Sequence, residues 1–179
     1  MRQLWMLGHS NRTSQEFIDL LREYDLRQLV DVRSYPASQR HPQFDRLQIE
    51  RRLPDKGIAY RWMPALGGMR QPVDELVCNV AWKEPGFKAY ADHMQGAEFA
   101  AALCSLEELA EQASTAVMCA EALYLKCHRQ LLADALLVRG WQVLHVVARG
   151  DVREHRLTPT AHVVEGEPVT YPATPELPF

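Results

Sequence analysis

Cys119, Glu121, Cys127, His128 and Arg129 fall within eleven positions of one another, and all five are residue types that do chemistry. A thiolate is a nucleophile and a metal ligand, carboxylates and imidazoles exchange protons, and a guanidinium grips anions through paired N–H donors. Cys127 is flanked by Lys126 and His128-Arg129 at the point where a helical pattern begins. A thiol at a helix N-terminus beside cations is more acidic than a free one. Lys126 is not a capping residue, so the helix start also offers free backbone N–H groups to an anion. The spacing matches neither a Walker A loop nor a standard phosphatase loop. Each residue has a structural alternative: Cys119 as a core thiol, Glu121 as a partner for Arg129 or Arg33, His128 as a cap or a solvent-facing ring.

The elements around this cluster must place it. Leu4 to Leu7 reads as a short buried strand ending at Gly8. Thr13 and Glu16 stand at capping-box spacing, and Phe17, Leu20, Leu21 and Tyr24 recur on one helical face. Leu29 to Val32 is a second strand, Gln43 to Leu53 a helix with Phe44 and Leu47 inward, and Ile58 to Met63 a third strand stopped by Pro64 and Gly67-Gly68. Met69 to Gly86 reads as an excursion or lid. Phe87 to Met94 and Ala97 to Gln112 are helices, the second with Phe99, Leu103, Leu106 and Ala110 on one face. Thr115 to Cys119 is a buried strand, Cys127 to Arg139 a helix stopped by Gly140, and Gln142 to Val147 a further strand. From Gly150 the chain carries five prolines and reads as an irregular arm, with a β-hairpin as an option.

Alternation of strands and helices predicts an α/β fold: a single three-layer Rossmann-like domain with a mainly parallel sheet over residues 1–155, and a Pro-rich arm, 156–179, packed on it. Ligands of such sheets bind beyond the strand C-termini. His9, Ser10, Asn11 and Arg12 follow the first strand, Asp31 and Arg33 close the second, and the Cys119 to Arg129 cluster follows a third. Three segments thus converge on one edge. The expected site has Cys119, Glu121, Cys127 and Asp31 as catalytic groups. His9, Ser10, Asn11, Arg12, Arg33, His128 and Arg129 would bind substrate or anion. Asp31 and Arg33 read equally as a buried ion pair, and His9-Ser10-Asn11 as a helix cap. Cys78 and Cys104 read as structural, the latter beside apolar neighbours.

Gly8-His9-Ser10-Asn11, Asp31-Val32-Arg33 with Pro36 and Ser38, Leu66-Gly67-Gly68, Phe87-x-x-Tyr90, Cys119-Ala120-Glu121, Cys127-His128-Arg129, and Gly140 with Val143 and His145 together resemble the family called domain of unknown function 488. The resemblance spans residues 4 to 155. It implies a small, mainly bacterial or archaeal, cytoplasmic protein in which the three loop clusters form one site; it implies no particular reaction.

Three readings of that site remain open. The first is an enzyme for a phosphate-bearing or nucleotide-like substrate, with arginines on the anion and Cys127 or Cys119, or Glu121 and Asp31, at the chemistry. The second is a metal site drawn from Cys119, Cys127 and His128 with Glu121, Asp31 or His9, although the spacing is not a standard knuckle. The third is a nucleic-acid or nucleotide binding module using Arg40, Arg46, Arg51 and Arg52 with Tyr60 and Trp62. The net charge of −3 works against the third. No apolar run nears the roughly 18 residues of a membrane span, and the N-terminal apolar run is too short for a secretory signal. A cytoplasmic protein with its four cysteines as thiols or ligands is expected. An exposed Trp82 and the apolar C-terminus offer a surface for a second copy; the sequence specifies neither oligomeric state nor cofactor.

Overall fold

The chain alternates β1 (Gln3–Gly8), α1 (Ser14–Glu23), β2 (Gln28–Asp31), α2 (Arg46–Arg52), β3 (Ala59–Trp62), α3 (Pro85–His93), α4 (Ala97–Gln112), β4 (Thr115–Cys119), α5 (Arg129–Val138), β5 (Gln142–Ala148) and β6 (Asp151–Glu154). This computed structural model describes residues 2–71 and 78–173. The sheet order is β3-β2-β4-β1-β5-β6. The first five strands are parallel, and β6 folds back antiparallel on β5.

Two separate apolar layers flank the sheet, so the strands alternate between them. Ala116 and Met118 of β4 face Phe17, Leu21, Phe44 and Ile49. Val117 and Cys119 face Phe99, Leu106, Leu131 and Leu136. Helices α1 and α2 therefore cover one face and α3 to α5 the other, a three-layer Rossmann-like α/β arrangement.

Local chemistry sets the helix ends. Thr13 accepts from Glu16 N, and the Glu16 carboxylate accepts from Thr13 N at 2.7 Å, completing the capping box on α1. Gly140 has φ +86°, its N–H bonds Leu137 O, and Trp141 N–H bonds Leu136 O. That is a Schellman end for α5, open to glycine because the backbone is left-handed there.

The structure corrects several expectations. The segment from Gln43 to Leu53 is not one helix: Pro42–Phe44 is a 3-10 turn, and Asp45 turns to extended backbone and caps α2 through Leu47 N. The break rotates Leu47 outward, to 59% exposure, and Ile49 and Leu53 take the inner positions. Helix α5 begins at Arg129 rather than Cys127, because Tyr124–Lys126 forms its own 3-10 turn. Cys104 is exposed on α4. Trp82 is half-buried, stacked on Phe87 at 4.7 Å and edge-on to Tyr171, so it is no free surface.

The chain after Gly150, read as an irregular arm with a β-hairpin as an option, carries antiparallel pairing and buried residues. Its first stretch is β6, and His162 bridges Thr170. Val169 and Tyr171 are buried in the α3–α5 layer. Tyr171 O–H donates to Asp134 at 2.8 Å, and its N–H bonds the buried Asn79 side chain. Asp134, fully buried, also accepts from Thr158 N and from His155. Of the excursion read between Met69 and Gly86, residues 72–77 lie outside the described residues, as do residues 174–179 of the arm. Among the described residues no helix is long and apolar enough to cross a membrane.

Candidate active site

The sheet edge carrying the strand C-termini holds a cleft of about 390 Å³. Arg33, Cys119, Glu121, Cys127 and His128 line it together with Ser34, Lys126, Glu84 and Phe87. Five of the sequence candidates therefore share one cavity of the size that takes a small molecule.

The two cysteines touch. Cys119 Sγ, at the end of β4, lies 3.0 Å from Cys127 Sγ, just ahead of α5. Both are buried among apolar side chains on the cleft floor. Glu121 N–H donates to Cys119 Sγ at 3.3 Å, and Arg129 N–H lies 3.5 Å from Cys127 Sγ. The first helical amide of α5 thus reaches Cys127 although the helix starts two residues later. His128 Nδ1 is 3.5 Å from the same sulfur. The surroundings separate the two thiols. A hydrogen bond from Cys119 S–H, with His128 and Arg129 nearby, holds Cys127 well below the usual thiol range despite its burial. Burial and the hydrogen bond to Cys127 push Cys119 well up.

Close backbone approaches lock this arrangement. Gly8 ends β1 directly under the turn after Cys119; a Cβ there would lie 1.7 Å from Glu121 O. Gly68 lies against His128, where a Cβ would meet Nδ1 at 2.4 Å. Tyr90, fully buried, donates to Leu66 O at 3.0 Å and sits beneath the His128 ring at 5.0 Å. The Leu66-Gly67-Gly68 segment is thereby fastened beside the thiols.

Asp31 is fully buried and grips Arg33 in a fork: Arg33 Nε bonds both carboxylate oxygens at 2.9 and 3.1 Å, and Nη2 bonds Oδ2 at 2.5 Å. Arg33 N–H and Tyr60 O–H also donate to this carboxylate. Burial opposes the Arg33 charge, but the carboxylate outweighs it and raises the guanidinium pKa. The ion-pair reading of Asp31 and Arg33 is what the structure shows; Arg33 reaches the cleft and Asp31 stands behind it. His9 stacks on Phe44 at 4.4 Å. Its Nδ1–H donates to Ser10 O at 2.9 Å, which leaves Nε2 to face Arg33 Nη1 at 3.4 Å. Burial lowers its pKa to about 4, so the ring is neutral at pH 7.

Arg12 and Arg129 are engaged inside the protein. Arg129 is almost wholly buried beneath the thiols and donates through Nη2 to Glu121 O. Arg12 clamps the ends of β1 and β5, donating to Gly8 O and Val147 O at 2.5 and 2.6 Å. Asn11 and Arg12 line a different groove, with Glu16 and Arg149. Ser10, at φ +50°, continues the β1–β4 pairing through Ala120 O. These three residues are not brought to the cysteine cleft. Arg46 pairs with Glu50 and lies over Trp62 at 4.6 Å, while Trp62 donates to Arg33 O. The aromatics read as stacking platforms thus support the Asp31–Arg33 pair. Among the described residues no three His, Cys, Asp or Glu side chains form a set that could hold a metal.

Sequence reasoning missed Ser34, Glu84 and Phe87 as cleft lining and Tyr60 as the hydroxyl on Asp31. The lid reading of Met69 to Gly86 was the available signal for Glu84.

A family model described as "Domain of unknown function DUF488" matches residues 13–136. The match takes in Asp31, Arg33 and the whole Cys119 to Arg129 cluster, and excludes His9, Gly140 and His145. No curated protein and no solved structure matches the chain.

Proposed function

The chain belongs to the family described as domain of unknown function DUF488, and for this member we propose a thiol-dependent enzyme in which Cys127 is the attacking sulfur. The observation that carries the reading is the 3.0 Å contact between Cys119 and Cys127 on the floor of the cleft. A buried thiol in apolar surroundings alone is inert. Cys127 instead has an S–H donor, an imidazole, a helix amide and a buried guanidinium around it. That environment favours the thiolate, the form that attacks.

Each neighbour has a part. Cys119 keeps its proton and donates it in a hydrogen bond to Cys127. Arg129 balances the negative charge from below. Asp31, Tyr60 and His9 fix Arg33, which with Lys126 gives the wall its positive groups, while Glu121 and Glu84 are its carboxylates. Geometry supports thiol chemistry more than the tight anion grip expected of the arginines, since Arg12 and Arg33 already hold internal acceptors and Arg129 does not line the cleft.

The test is the rate at which iodoacetamide labels each cysteine as pH is varied, read by peptide mass mapping. Cys127 is expected to label with an apparent pKa well below the free value of about 8.5, and Cys119 to stay unlabelled. Labelling of Cys127 only after unfolding would remove the proposal.

A further inference from the structure

We infer that the cleft's chemistry is thiol–disulfide exchange, with Cys119 as the resolving thiol and a small organic disulfide as the substrate class. This rests on Cys127 being the nucleophile and adds what it attacks. A hydrogen-bond donor to a thiolate need not be a second thiol, and an acyl or phosphoryl substrate calls for free oxyanion or phosphate donors. Here the donor is itself a thiol, Arg12 and Arg33 are held by internal partners, and Arg129, whose Nε has no partner, does not line the cleft. The sulfurs stand 3.0 Å apart on residues eight positions apart in the chain. A disulfide is about 2.05 Å long, so closure needs a movement of about 1 Å. Both sulfurs line the same opening, so a group joined to Cys127 lies within reach of Cys119.

The steps balance. The Cys127 thiolate attacks one sulfur of R–S–S–R′, forming a mixed disulfide and expelling RS⁻. The Cys119 proton, no longer held by a thiolate at Cys127, passes to RS⁻ and gives RSH. The Cys119 thiolate then attacks Cys127 Sγ, forming the Cys119–Cys127 bond and expelling R′S⁻, which takes a proton from water. The substrate gains two electrons and the protein loses two; an external dithiol returns them by the reverse exchange.

The experiment treats the full chain with bis(2-hydroxyethyl) disulfide at pH 7 and maps its peptides. The expected result is loss of two thiols as one Cys119–Cys127 bond, restored by dithiothreitol. Exchange should run roughly tenfold faster than at the exposed Cys104, in line with the larger thiolate fraction tempered by lower nucleophilicity. Cys119→Ala should stop at a hydroxyethylthio adduct on Cys127. Should that variant fail to fold by circular dichroism, the wild-type map decides alone. A stable adduct on wild-type Cys127, or no reaction with the disulfide while iodoacetamide still labels Cys127, overturns exchange and leaves the nucleophile reading standing. Inertness of Cys127 to both reagents removes both.

Discussion

Replacing Asp31 by Ala should strongly destabilise the fold beside the cleft. The substitution removes the acceptor for Arg33 N, Nε and Nη2 and for Tyr60 O–H. The guanidinium keeps no carboxylate partner, only neutral neighbours in His9 and Tyr60, and Arg33 is 7% exposed, so its charge is left without compensation. Breaking a buried pair from one side costs about 3–5 kcal/mol, out of a total of about 5–15 kcal/mol for a domain. With a urea slope of about 2 kcal/mol per molar, the unfolding midpoint should fall by about 2 M. Tryptophan fluorescence is a suitable probe because Trp62 bonds Arg33 O. The double variant Asp31→Ala, Arg33→Met should recover much of the loss, because the penalty lies in the orphaned charge rather than in the missing attraction. A loss below about 1 kcal/mol, or additive losses in the double variant, would refute the assignment of this pair as the brace of the cleft wall.

Three further outcomes follow from the same contacts. Gly68→Ala puts a Cβ 2.4 Å from His128 Nδ1, so the ring must move off Cys127; the iodoacetamide pH profile of Cys127 should shift upward, with about 1–3 kcal/mol of stability lost. Tyr171→Phe removes the hydroxyl from fully buried Asp134 and should cost about 1–3 kcal/mol in urea unfolding; an unchanged midpoint would mean the C-terminal strap is not anchored there. His9 is lowered from 6.5 to about 4 and His145 to about 3, both chiefly by burial. Above pH 6.5 neither contributes. As pH falls from 6.5 the unfolded chain takes protons that the folded rings refuse, so stability drops until about pH 4 for His9 and about pH 3 for His145. The His9 share is about 3 kcal/mol, and His9→Gln should flatten the slope of urea midpoint against pH; equal slopes would contradict the neutral buried ring.

The layer architecture was legible because its signals are local and repeated. The α1 face, the α4 face and the apolar run of β4 each record burial in their own periodicity. Errors arose where one residue redirects the backbone. Asp45 looks like any polar helix residue, yet its extended backbone splits the expected helix and sends Leu47 to solvent. The 3-10 turn Tyr124–Lys126 moves the start of α5 past Cys127, although the sulfur still meets the Arg129 amide. Residues of the strap such as Tyr171 carry no periodic signal, because their partners Asn79 and Asp134 lie far away in the chain.

The structure brings the two thiols together and gives several of the cations internal acceptors. Convergence at strand ends predicts which loops meet, and Cys119, Cys127, His128 and Arg33 do meet. It says nothing of which way a guanidinium turns. Arginines near a cleft suggest an anion, but a fold with irregular turns over its strand ends has buried carbonyls to satisfy, and donors are needed there first. Arg12 on Gly8 O and Val147 O, and Arg129 on Glu121 O, answer that need. The turn they fasten is the one packed on Gly8, and it sets the position of Cys119 against Cys127. Part of the positive charge thus shapes the thiol pair, and Arg129 adds to the lowering of the Cys127 pKa. In the proposed thiol chemistry these arginines act through the position of the sulfurs and need never touch a ligand.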